Sequence, residues 1–165
     1  MEAVDLILIV VNVGITVISM YGAHKSLKYY KKSKILSEHT NVNKALVEIE
    51  KMLNKLPEAL TAVNKSRQNK RGFNFLKTIC DIGNDLHISY NEIRACTPPE
   101  YSADLFALED ENRFELHKYI NEYISGEVLR DNELNSDDLL ICQKRLMAMQ
   151  DFLKHRMEEI AEKLK

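Results

Sequence analysis

The chain has 165 residues, a formal net charge of −2, and only five glycines and three prolines. So few breakers, with no alternating β-type pattern, predict an all-α chain: a single N-terminal transmembrane helix followed by an antiparallel bundle of about four helices. Three cysteines without a CxxC pair exclude a disulfide scaffold and a paired-cysteine zinc site.

The chain is organised around its start. Residues 3–23 read AVDLILIVVNVGITVISMYGA, and as a helix they reach about 31 Å, close to the hydrocarbon thickness of a bilayer. Residues 1–23 are therefore expected to hold a transmembrane helix. Residues 24–34 form a basic juxtamembrane collar, with Lys25, Lys28, Lys31, Lys32 and Lys34 reaching lipid headgroups. Glu2 and Asp5 lie at the opposite end with no basic neighbour. The predicted topology has the N-terminus outside and the C-terminal domain cytoplasmic, in a plasma (inner) membrane. An acidic start and no small-x-small cleavage site argue against a secretory signal peptide.

Polar residues inside the apolar run carry further information. Asp5, Asn12 and Ser19 are seven apart and Thr16 follows Asn12 by four, so at 3.6 residues per turn they share one stripe. Such groups avoid lipid, and the stripe is assigned as a transmembrane oligomer interface. A single helix whose Ser and Thr bond back to their own carbonyls is the competing reading. GxxxG is absent.

Residues 35–165 are assigned to a cytoplasmic bundle. Val42, Leu46, Ile49, Leu53, Leu56, Leu60 and Val63 alternate by four and three, the register of a coiled coil or bundle helix. The register fails in the collar, and Pro57 is expected to kink it or start a new helix. Residues 64–71 read as a basic connector. They lack interleaved aromatics, so nucleic acid is not an expected partner.

The next helix covers about 73–95, with Leu76, Ile79, Ile82, Leu86, Tyr90 and Ile93 on one side, and is stopped by Thr97-Pro98-Pro99. An acidic stretch, 100–115, precedes a helix through Phe114, Ile120, Tyr123 and Ile124 that closes at Gly126. The last helix opens at residues 135–138, with Asn135 or Ser136 as cap. Its seam runs Leu139, Cys142, Leu146, Met149, Leu153, Met157, Ile160 and Leu164.

No phosphate-binding glycine loop, HExxH or nucleophile elbow occurs. No two histidines share one helix turn, and Glu111 and Glu115 read as a solvated face. No catalytic, cofactor or metal residue is assigned. The expectation is a membrane-anchored, non-catalytic interaction protein, with lipid bilayer and a second copy or protein partner as ligands. One alternative is a membrane-perturbing effector of a toxin or phage-defence system, whose oligomerised spans permeabilise. Another is a soluble module that buries its N-terminal helix.

Overall fold

A computed structural model describes residues 3–68, 73–108, 115–129 and 136–164; side chains are described for 11–65, 76–108, 115–128 and 138–164. All the regular structure there is helical: α1 (Ala3–Gln68), α2 (Phe73–Cys96), α3 (Pro99–Phe106), α4 (Leu116–Ser125), a 3-10 turn (Glu127–Leu129) and α5 (Ser136–Leu164).

Helix α1 is unbroken from the apolar run through the collar into the bundle. This corrects the helix start expected as one alternative at Pro57, and the reading of residues 64–71 as a connector. Pro57 neither ends the helix nor starts another, and the first part of the basic connector, to Gln68, is helical. A mid-helix proline costs about 3 kcal/mol by removing one bond and crowding the preceding turn. Pro57 lies on the exposed side, while Leu56, Ala59 and Val63 are wholly buried beside it. Burying one such aliphatic side chain contributes roughly 1.5–3 kcal/mol, so packing outweighs the local defect. Thr61 donates its hydroxyl to the Pro57 carbonyl, at 2.8 Å.

The core begins on α1 at Ile35, which packs partly against it, and is fully buried from Val42. On α1 it includes the expected Val42, Leu46, Ile49, Leu56 and Val63, with Leu53 and Leu60 partly buried. Ala45, Met52, Ala59 and Ala62 join them. The buried face is wider than a single seam because α1 packs against both α2 and α5.

Helices α1 and α2, and α2 and α4, run antiparallel. Ser89 of α2 donates to Glu48 of α1 at 2.9 Å, and Asp85 pairs with Lys55 at 3.3 Å, so α2 descends as α1 rises. His87 faces His117 of α4, while Gly83 packs on the backbone of Tyr123 and Ile124. Helix α5 brings Arg156 over Tyr101, whose hydroxyl donates to Glu38 near the start of the packed part of α1.

Helix α3 falls where the sequence suggested an acidic connection. Pro99 at its first position loses no bond, since the opening N–H groups of a helix have no internal partner. Glu100 in the first turn suits the positive helix end. Gly126 is the expected left-handed cap, with φ 70° and its N–H on the Tyr123 carbonyl at 3.2 Å. Phe114, Glu111 and the proposed cap Asn135 lie outside the described residues.

Candidate functional site

The residues singled out for function sit on the bare N-terminal half of α1. From Val11 to Lys34 every side chain is exposed. Between Val11 and Tyr21 the large apolar side chains are at least half exposed, reaching 72% at Ile18 and 70% at Met20. They occupy more than half of the helix circumference, all but the side of Asn12, Thr16 and Ser19, so no single groove of this chain covers them. Among the described residues, no helix is long and apolar enough to cross a membrane. The side chains of the first part of the 3–23 run, including Asp5, lie outside that set.

Asn12, Thr16 and Ser19 share one exposed side of this stem. Thr16 donates its hydroxyl to the Asn12 carbonyl at 2.8 Å, the back-bonding anticipated for an isolated helix. The collar lysines are exposed as well. Lys25 lies 5.9 Å from the Tyr29 ring centre, and Lys34 lies 3.9 Å from Glu100 of α3. Exposed contacts of this kind contribute roughly 0–1 kcal/mol each, leaving the cationic heads available to anionic groups.

Where the stem enters the bundle, three helices are tied together. Tyr101 donates to Glu38, and Arg156 stacks over Tyr101 at 5.3 Å and Phe152 at 5.1 Å while bonding Glu159 at 2.8 Å. Burial and the Glu38 carboxylate push the Tyr101 hydroxyl up to about 12, so it stays a donor at neutral pH.

A second candidate surface lies between α1 and α2, a groove of about 580 Å³ floored by Met52 and Leu86 and edged by Ile88. Its charges are largely engaged with each other. Lys55 reaches Asp85 and Glu58, both at 3.3 Å, and Lys51 and Ser89 both bond Glu48. Partial burial pushes the Glu48 carboxyl up, but the Lys51 and Ser89 hydrogen bonds outweigh it and hold the group below its ordinary 4.5. A carboxyl lowered in the folded state stabilises fully above its unfolded value and loses that contribution as pH falls through the folded one. Full-length protein in detergent is therefore expected to lose more stability between about pH 5 and pH 3 than Glu48→Gln does. Equal losses would contradict the assignment.

The structure also joins two histidines that the sequence separates. His87 and His117 have ring centres 6.3 Å apart across the α2–α4 contact, with Tyr90 at 5.8 Å from His117. No local spacing signals this pair, because the residues lie on different helices. Cys142 is buried, which raises its thiol to about 12 and keeps it unreactive. Among the described residues no three His, Cys, Asp or Glu converge as metal ligands. No family model, curated protein or solved structure matches the chain.

Proposed function

We propose that this chain is a single-pass, membrane-anchored interaction protein that acts by association rather than catalysis. Residues 3–23 would span the bilayer, the lysine collar would meet the headgroups, and the bundle would stand in the cytoplasm. One observation carries the reading. Helix α1 leaves the packed core at Ile35 and continues as an uncovered stem, first lysine-rich and then apolar on every side but that of Asn12, Thr16 and Ser19. An apolar surface of that extent in water demands a covering, and a bilayer covers all sides of a helix at once. The span would associate through the Asp5, Asn12, Thr16 and Ser19 stripe, which avoids presenting a carboxylate and an amide to hydrocarbon.

A reporter fused after Lys165 tests the topology. It is expected to behave as cytoplasmic, and an external C-terminus would refute the arrangement. The same polar stripe favours a second reading, in which assembled spans admit water and dissipate the membrane potential. That reading requires a potential-sensitive dye to respond to wild type and the response to fall in Asn12→Leu. An equal response from both would dismiss it.

A further inference from the structure

We infer that one face of the collar is a binding site for the headgroup of an anionic phospholipid, built from Lys25, Lys28 and Lys32 around Tyr21. The inference rests on the membrane-anchored reading and deepens it, naming a lipid class and singling out three of the five collar lysines. Because α1 is a continuous helix, positions along it can be compared at about 100° per residue. Tyr21, Lys25, Lys28 and Lys32 then fall within an arc of roughly 60°, while Lys31 and Lys34 lie roughly 90° and 150° from its centre. With His24 and Tyr29, these four line one depression of about 400 Å³ on the stem. A phosphate there would accept charge-assisted hydrogen bonds from three ammonium groups.

The charge on this face is uncompensated within the stem. No Asp or Glu lies between Leu6 and Ser37, and Glu100 reaches Lys34, away from the face. The face also runs on into the apolar segment, which selects a lipid over a free anion. Val17 and Ile18, 60% and 72% exposed, flank the same side one turn nearer the N-terminus. A phospholipid can lay its acyl chains along them while its phosphate meets the lysines, whereas inorganic phosphate has nothing to place there. Side-chain direction favours the same arrangement. Helical side chains lean toward the N-terminus, which here is toward the bilayer, so the lysines lean back onto the headgroups. That layer is roughly 5–8 Å deep on each side, and Lys32 stands roughly 14 Å beyond Ala23 along the axis. The lean therefore matters most for Lys32.

Native mass spectrometry of the full-length protein in non-ionic detergent, given an equimolar mixture of phosphatidylglycerol and phosphatidylcholine, tests this. The wild-type chain is expected to retain phosphatidylglycerol in preference. The double variant Lys28→Gln, Lys32→Gln is expected to bind it about thirtyfold more weakly, about fivefold for each lysine. Lys31→Gln, Lys34→Gln removes the same charge from the other sides and is expected to weaken binding by less than about threefold. Equal losses in the two double variants would mean a diffuse field and overturn the site. Equal retention of both lipids by a wild-type chain that still resists carbonate extraction overturns the site and leaves the anchor standing. Release of the chain by carbonate removes the anchor and the site with it. Displacement of the bound lipid by excess inorganic phosphate overturns the assignment to a lipid.

Discussion

Alanine at Gly83 is expected to destabilise the bundle by about 2 kcal/mol, an overpacking effect that reverses the usual benefit of replacing a helical glycine. In an open helix the same change contributes up to about 1 kcal/mol of stability. At Gly83 an added Cβ would lie 2.6 Å from the Ile124 nitrogen and 2.8 Å from the Tyr123 carbonyl carbon. These are backbone atoms of α4, which cannot rotate aside, so one helix must shift. The shift would also disturb the neighbouring contacts of Tyr123, a wholly buried aromatic whose hydroxyl lies 3.1 Å from that of Tyr119. Thermal unfolding of full-length protein in detergent should show a loss of about 6 °C. Gly14→Ala is the control, since nothing lies within 4 Å of its added carbon. A Gly83→Ala protein as stable as wild type would mean that α2 and α4 do not cross so closely.

Leu86→Ala should cost about 3 kcal/mol, the transfer term plus the cavity left behind. Leu86 is wholly buried on α2, at the floor of the α1–α2 groove. Two positions along the same helix, Ile88 is 60% exposed, and Ile88→Ala should change stability by less than about 0.5 kcal/mol. The pair is a test of helix orientation, because the two residues are similar in size and close in sequence. Comparable losses from both would place α2 in a different rotation. If Ile88→Ala is silent in unfolding yet weakens an association, the groove edge is engaged by a partner.

Much of this packing was legible because helix period and burial are coupled directly. Ile79, Ile82, Leu86, Tyr90 and Ile93 of the α2 register are buried, as are Leu139, Cys142, Leu146, Met149, Leu153 and Ile160 of α5. Gly126 was legible as a cap because a left-handed residue after a helix favours glycine. Pro57 was read as a kink or a helix start, and the helix start fails because tertiary burial on the opposite side carries α1 through the proline. Helix α3 was hidden by its shortness and by the Pro98-Pro99 pair at its start, although Pro99 at the first position and Glu100 behind it are start signals. The alanines of the wide α1 face escaped notice because a single-seam template assumes one neighbour and α1 has two. The His87–His117 and Glu38–Tyr101 contacts are products of topology, which residue spacing along the chain does not encode. For the candidate site, the stripe and the collar were visible as residue patterns. Their disposition round one unbroken helix depends on α1 continuing through residues 24–34, where the apolar register lapses.

Membrane partition tests the central claim most directly. Full-length protein should remain with the membrane pellet through alkaline carbonate extraction and move to the supernatant when detergent is added. Recovery in the supernatant without detergent would contradict the anchor and favour a module that buries its N-terminal helix against protein.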